Sequence, residues 1–545
     1  MNTKRMYDFL LELAKIPSVS PSVEEKRAAE TIYNALLEES YFKANSGDLR
    51  LLPIPGDQFE RQTVFAMVRA EPRTPRTVLI IGHLDVVETR EARELADLAF
   101  DPEEYTRQLS RRMLPQSARV DLESGHFLFG RGVFDMKCGV AAAVELIRKV
   151  SQDPKSLECN LLFLAVCDEE NQSAGMLSAV EHLIRIREEE GLEFLACVNT
   201  EGETQKYAGD SNRYVSLGTV GKMMPVFYCV GRESHVGSHY EGFNAILLAS
   251  AVNMILEGSP EWADRVGDET YPPPTALKHR DLRDEYSVTL PARAVTYFNY
   301  LFVNKTPGKV VEMMKRAAED AFDMALERMR YSARRFSAEG GGPVEIQWRP
   351  KVISYKELVD SVRKTFGDYL DQHISRFVDG LPADMDPRDK CIAVIGEVLR
   401  HYEDKDPQII VGFLPPFYPH RTNLRQTSRE LAIIQAVEGL IAEAKEVYGE
   451  TLAVNEHFLA ISDLSYVGFQ GSRDDIQPLI ENTPGWGKVY NLPVEALLKL
   501  DIPVVNIGPS GRDAHKYTER LDLKYYMGAY PRLLESFVRR LAVML

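Results

Sequence analysis

The sequence predicts an α/β protein interrupted by a smaller α+β insertion. Three observations predict it. Short apolar runs ending in polar or glycine-rich residues alternate with helical stretches over residues 1–214. The pattern then changes to strand, helix, strand, strand, helix, strand over 215–355, and the alternation resumes over 356–545. These ranges are the expected division: a first part of an α/β domain, an inserted α+β domain, and a second part of the first.

The elements follow in order. Residues 4–16 and 23–39 carry helical periodicity, separated by the Pro/Ser turn IPSVSPS, which can cap the second helix. TVLIIGH reads as a buried strand, GVAAAVELIRKV (139–150) as a helix, and NLLFLAVC (160–167) and FLACVNT (194–200) as further strands. Open α/β sheets gather their active sites at the carboxyl ends of such strands. Within the insertion, 216–231 look like a strand pair, 243–257 a helix and 287–303 a long β-prone stretch. A helix over 307–335 is opened by Thr306 and Pro307, and VEIQW (344–348) is the last strand, after a turn marked by Gly340 to Gly342. IPVVNIGPSG (502–511) and a final helix over 524–543 end the chain.

Composition narrows the function. With 545 residues, 44% hydrophobic and 27% charged, the chain can bury large cores. A net charge of −16 argues against nucleic acid or an anionic membrane as partner, since both need a basic surface. The N-terminal apolar run is short and carries Glu12 and Lys15, so it reads as neither signal peptide nor membrane span. Six scattered cysteines without CxxC spacing read as reduced core residues, and a cytoplasmic protein is expected.

The chemistry lies at strand ends. His83-Leu84-Asp85 follows TVLIIG, Asp135 lies in the glycine-framed GRGVFDMKCG, Asp168-Glu169-Glu170 follows NLLFLAVC, Glu201 follows FLACVNT, and His515 follows GPSGRDA. Two imidazoles and several carboxylates on separate strand ends suit zinc or another divalent first-row metal. Each piece is weak alone, because HxD pairs are often structural and DEE runs are usually solvated. Their joint order carries the argument: HxD, GRG-x-x-DMK, DEE, xEG, SH, GP-x-G-x-x-AH.

That order resembles the M20 family of zinc metallopeptidases and aminoacylases. The resemblance implies a mixed-sheet, zinc-peptidase-like catalytic domain with an inserted α+β, ferredoxin-like lid that mediates dimerisation in many members. It implies two divalent metal ions per chain, zinc first, with manganese or cobalt open. Asp135 would bridge them, His83 and Glu201 completing one site and Glu170 and His515 the other. Asp85 would orient His83, and Glu169 would be the general base that takes a proton from the attacking water. His235, in GRESHVG, reads from the sequence alone as a surface loop histidine. The resemblance would have it polarise the scissile carbonyl from a neighbouring subunit, in a homodimer built through the lid.

Some segments depart from the family pattern. Cys138 stands where glycine is usual, close to a ligand. A charged helical segment over 91–115 adds a rim, and much of the extra length falls at 355–455. There FLPPFYPHRTN (413–423) is either a buried connector or a pocket wall with a basic tip at His420 and Arg421. The carboxylate-gripping Asn and Arg of the lid do not fall clearly in place; Arg349 is a loose candidate. Ser462-Asp463 looks like the family's Ser/Thr-Asp turn near the site, contacting substrate or supporting the groups that do. The long insertions are most similar to RocB-type arginine-utilisation proteins, which implies a small nitrogen-rich amino-acid derivative as substrate.

The expected function is metal-dependent hydrolysis of an amide-type C–N bond in a small peptide, N-acyl or N-carbamoyl amino acid. The rival is a non-catalytic metal-binding or regulatory protein that keeps the fold.

Overall fold

The computed structural model describes residues 1–207, 209–267 and 269–544. The chain forms two compact units. The first holds Met1–Val220, Arg421–Gln470 and Pro493–Leu545; the second holds Gly221–His420 and Gly471–Leu492.

The first unit is built on an eight-stranded mixed sheet. Its order is Leu49–Pro53, Gln62–Val68, Asn160–Val166, Arg76–His83, Glu193–Asn199, Val504–Asn506, Arg213–Ser216, Leu452–Asn455. The three runs read as buried strands, Arg76–His83, Asn160–Val166 and Glu193–Asn199, are parallel neighbours. Their nearly unbroken apolar character follows from burial on both faces. Val78, Ile80, Leu161, Phe163, Ala165, Ala196 and Val198 face one core with helices Thr3–Ala14, Glu24–Leu37, Lys137–Gln152, Ser428–Tyr448 and Tyr530–Met544. The alternate residues, such as Leu79, Ile81, Leu162 and Leu164, are equally buried. A smaller four-stranded sheet joins Phe127–Phe129, Arg520–Asp522, Ser510–Arg512 and Glu203–Thr204.

The second unit carries a five-stranded sheet in the order Thr275–Asp281, Arg293–Phe302, Gly221–Val230, Gln408–Tyr418, Val352–Ser354. Helices Ala245–Leu256 and Pro307–Phe336 appear where the sequence predicts them. Thr306 caps the longer one by accepting from the Lys309 N–H, and Pro307 occupies its first turn.

Three expectations are corrected here. The insertion does not end at 355: Gln408–Tyr418 threads between Gly221–Val230 and Val352–Ser354, so 356–420 belongs with the second sheet. Residues 471–492 join it too, where the Cys391 thiol donates to the Pro484 carbonyl and the Lys356 N–H to Asn482 Oδ1. VEIQW forms no ladder, although Val344, Ile346 and Trp348 are half-buried between exposed neighbours. The expected strand pair over 216–231 is divided, Arg213–Ser216 lying in the first unit and Gly221–Val230 in the second. Among the described residues no helix is long and apolar enough to cross a membrane.

Candidate metal centre

The ligand-type residues of the first unit meet at the carboxyl ends of its parallel strands. His83 ends Arg76–His83, Asp168 to Glu170 follow Asn160–Val166, and Glu201 follows Glu193–Asn199. Asp135 lies in the turn before helix Lys137–Gln152, and His515 in the loop between strands Ser510–Arg512 and Arg520–Asp522.

Three overlapping groups of donor atoms result, one of them His83 with Glu169 and Glu170. The other two are His83, Asp135 and Glu201, and Asp135, Glu170 and His515. Asp135 serves both, with Oδ1 3.1 Å from His83 Nε2 and Oδ2 3.0 Å from His515 Nε2. Glu201 Oε2 lies 3.4 Å from His83 Nε2, and Glu170 Oε2 lies 3.1 Å from His515 Nε2. Glu169 Oε2 lies 3.9 Å from His83 Nε2.

The electrostatics fit cation ligation. Burial, reinforced by the charge on Asp135, pushes the Glu201 carboxyl up to about 8. Burial also holds Glu169 well above the usual range; Glu170, Asp463 and Glu201 add to this against the attraction of His83. Burial works against an imidazolium at His83, yet the Glu201 and Asp135 carboxylates hold its pKa well above the ordinary value. Such a cluster must otherwise take up protons to balance its own charge. Two dications would supply that balance, and mixed imidazole and carboxylate donors suit first-row divalent metals.

The supporting shell explains the placement. His83 Nδ1 lies 3.0 Å from the backbone carbonyl of Asp85 and 3.7 Å from its carboxylate, so Asp85 orients the imidazole mainly through its main chain. The Asp85 carboxylate instead accepts the backbone N–H groups of Glu169 (3.2 Å) and Glu170 (3.0 Å), fixing the acidic turn. Asp168 faces away into an ion-pair network: Arg61 donates to it and also pairs with Glu25 and Asp57. Asp168, Asp513 and His515 adopt φ of 69°, 59° and 67°, a region uncommon for non-glycine residues, in the turns that present ligands.

Sequence reasoning missed several of these supports. Glu519 accepts from the N–H groups of Phe134 and Asp135 and pairs with Arg131, whose guanidinium also donates to the His515 carbonyl. Asn506 clasps Glu201, its Oδ1 accepting the Glu201 N–H and its Nδ2 donating to the Glu201 carbonyl. Lys137, in the DMK triplet, is buried and donates to the carbonyls of Leu13 and Ile16, tying the IPSVS segment to this loop. Nothing local marks a glutamate or asparagine hundreds of residues away as a partner of Asp135 or Glu201.

The other singled-out residues fall differently. Cys138 is buried, donates to the Phe134 carbonyl, and is kept a thiol by that burial. The 91–115 segment is a helix over Pro102–Leu109 preceded by two 3-10 turns, Arg90–Leu95 and Asp97–Phe100; Tyr105 packs with Ala99, Leu109, Ala118 and Phe129 and donates to the Tyr517 carbonyl beside His515. FLPPFY is strand, not loop. Arg421 is no exposed basic tip: it is 3% exposed and donates to Asp501 and the Ile502 carbonyl. His420 stacks edge-on to Phe302 at 5.4 Å. Arg349 is exposed on an irregular segment of the second unit. Asp463 is buried in the first unit, and burial pushes it up to about 7 despite a hydrogen bond from Ser173. His235 is exposed in the second unit, its Nδ1 accepting the Gly237 N–H at 3.1 Å.

The chain is similar to known proteins over most of its length. The chain is 31% identical over 536 residues to the uncharacterized protein YqjN of Bacillus subtilis (strain 168), covering 98% of this chain and 95% of that one. It is 28% identical over 534 residues to protein RocB of the same organism, covering 98% and 94%. Among solved structures it shares the fold of an M20 family metallo-carboxypeptidase, Sso-CP2 from Sulfolobus solfataricus, with a TM-score of 0.52 and 15% identity over 99% of each chain. Residues 79–470 match the family description "Peptidase family M20/M25/M40", and the chain belongs to that family.

Proposed function

We propose that the chain hydrolyses an amide-type C–N bond in a small N-acyl, N-carbamoyl or peptidyl derivative of a nitrogen-rich amino acid. The observation that carries this is the pair of donor groups sharing Asp135, with Glu169 beside them. His83, Asp135 and Glu201 would hold one divalent ion, and Asp135, Glu170 and His515 the second; zinc is the first choice, manganese and cobalt the next. Metal ions so held would polarise a carbonyl oxygen and acidify water.

Glu169 would take the proton from water as it attacks and hand it to the leaving nitrogen. Its raised proton affinity suits a group that must both accept and donate near neutral pH. Asp85 would keep Glu169 and Glu170 in register through the two backbone N–H groups it accepts. The choice of arginine, ornithine or citrulline derivatives follows from the resemblance of the long insertions to RocB-type arginine-utilisation proteins, a similarity that extends over 98% of the chain.

His235 would stabilise the developing oxyanion. Its Nδ1 accepts a backbone N–H, so the neutral ring carries its proton on Nε2, the donor this role needs. We place it in the active site of a partner chain, in a homodimer formed through the second unit. Subunit exchange between Glu169→Gln and His235→Ala chains should restore activity in hybrids; no recovery after proven exchange would refute the shared site.

The test of the activity itself is amine release from a panel of N-succinyl, N-acetyl, N-carbamoyl and peptidyl derivatives of arginine, ornithine and citrulline, with metal content measured alongside. Turnover that falls roughly 10²- to 10⁴-fold in Glu169→Gln, with metal retained, is expected. A fully metal-loaded protein inert across the panel would favour a binding protein instead.

A further inference from the structure

The second unit contains another convergence of ligand-type side chains, independent of the centre above. Helices Tyr369–Asp379 and Pro387–Arg400 pack as neighbours, and His401 caps the second. Glu397 and His401 are four residues apart and share a helix face, and His373 meets them from the other helix. His373 Nε2 is 2.8 Å from Glu397 Oε1, His401 Nε2 is 3.6 Å from the same oxygen, and the two Nε2 atoms are 3.4 Å apart.

Each imidazole Nε2 and the Glu397 Oε1 can offer a lone pair, so three potential ligand atoms converge on one point. One cation serves all three. With metal–nitrogen bonds of about 2.0–2.1 Å, adjacent tetrahedral donors lie roughly 3.3–3.4 Å apart, which is the observed nitrogen–nitrogen separation, and the two nitrogen–oxygen distances bracket it.

The surroundings hold the donors in place. The His401 ring packs on Phe366 with centroids 4.5 Å apart, and the His373 ring stacks on Tyr369 at 6.4 Å. The two imidazoles stand nearly perpendicular, at 88°. Arg400 engages the other Glu397 oxygen, Oε2, at 3.3 Å, leaving Oε1 to the cluster. Lys405 donates to the carbonyls of Leu399, Arg400 and Tyr402, fixing the turn that carries His401. Glu397 is 9% exposed and the histidines 29% and 26%, so a solvent ion can enter without unfolding the helices.

We propose that His373, Glu397 and His401 form a separate divalent-metal site, taking zinc or a first-row neighbour such as cobalt or nickel, with water completing the coordination. It clips the two helices together. Binding stabilises the folded unit, because the unfolded chain does not hold the three donors together. The site shares no ligand with the proposed catalytic pair and does not rest on the proposed activity.

The test is metal stoichiometry of the full chain, loaded with zinc and desalted, for wild type and for His373→Ala, His401→Ala and Glu397→Gln. Each variant should lose one zinc equivalent per chain, keep its remaining zinc, and lose the thermal stabilisation that the last zinc equivalent gives wild type. Equal stoichiometry in wild type and folded variants would overturn the proposal. If the variants do not fold, wild type decides: diethyl pyrocarbonate labelling, mapped by mass spectrometry, should spare His373 and His401 only when zinc is present. Equal labelling of both at saturating zinc would likewise overturn it.

Discussion

The two halves of the candidate centre share Asp135 but differ in access. His83, with its side chain 2% exposed, lies on a central strand between Glu201 and Asp135; His515, 53% exposed, sits on a loop held from behind by Arg131 and by Asp513. The closed half is set by the sheet itself, and the open half by a loop docked onto it. An ion in the closed half should therefore exchange slowly and one in the open half quickly, with the open side also the natural entry for substrate.

Removing ligands one at a time tests this most strongly. Asp135→Ala should empty both halves and abolish turnover. His515→Ala should lose one equivalent and retain the slowly exchanging ion. His83→Ala should lose the slow ion, leaving only metal that a chelator strips rapidly. Each single histidine loss should cost at least roughly 10²-fold in activity, the scale of removing one positioned electrostatic group. If chelator release is a single phase in wild type and both histidine variants, the halves are equivalent and the comparison fails.

A subtler break targets the closed half from outside the ligand set. A Cβ built on Gly508 would lie 1.7 Å from the Glu201 carbonyl oxygen, so no side chain fits without moving the Glu201 turn. Gly508→Ala should cost about 1–3 kcal/mol of stability, the usual range for overpacking. Its activity loss should exceed that, with the slowly held ion now exchanging quickly. Unchanged exchange kinetics in a folded Gly508→Ala protein would show that the Glu201 position tolerates movement.

The same contrast explains what the sequence disclosed. The convergence of His83, Glu170 and Glu201 was legible because an apolar strand ending in a ligand-type side chain is a local pattern, and local patterns survive without coordinates. Glu519 and Asn506 were not, because their work is to accept or donate to main-chain groups over 300 residues away. In the second unit, Gln408–Tyr418 was hidden by Pro415 and Pro416, which read as a loop. They are tolerated because they lie where the pairing with Gly221–Val230 shifts register, between Leu414 and Tyr418. VEIQW misled in the opposite direction: alternation reports one half-buried face, not a hydrogen-bonded ladder.

The smallest expected effect on turnover sharpens the comparison by removing a confounder. Acid will release metal from both halves, but it should also weaken the fold at His182, outside the centre. That ring is buried beside Phe65, and its Nδ1 accepts from Arg185 at 2.6 Å, where a second proton would face a guanidinium. Burial, with the charges of Arg50 and Arg185, lowers its pKa to about 4, against about 6.5 in the unfolded chain. The folded pKa is depressed, so the stabilising contribution is complete above about pH 6.5 and is lost as pH falls toward about 4, because the unfolded state binds the proton first. The loss across that window is on the order of 2–3 kcal/mol. His182→Gln should flatten the dependence of the urea midpoint on pH between about 6.5 and 4, while leaving turnover at neutral pH unchanged. In that background, any remaining acid sensitivity belongs to the two halves, and the open one should release its ion first. An unaltered pH slope would show that His182 does not titrate differently in the folded state and would return the whole acid response to the metal centre.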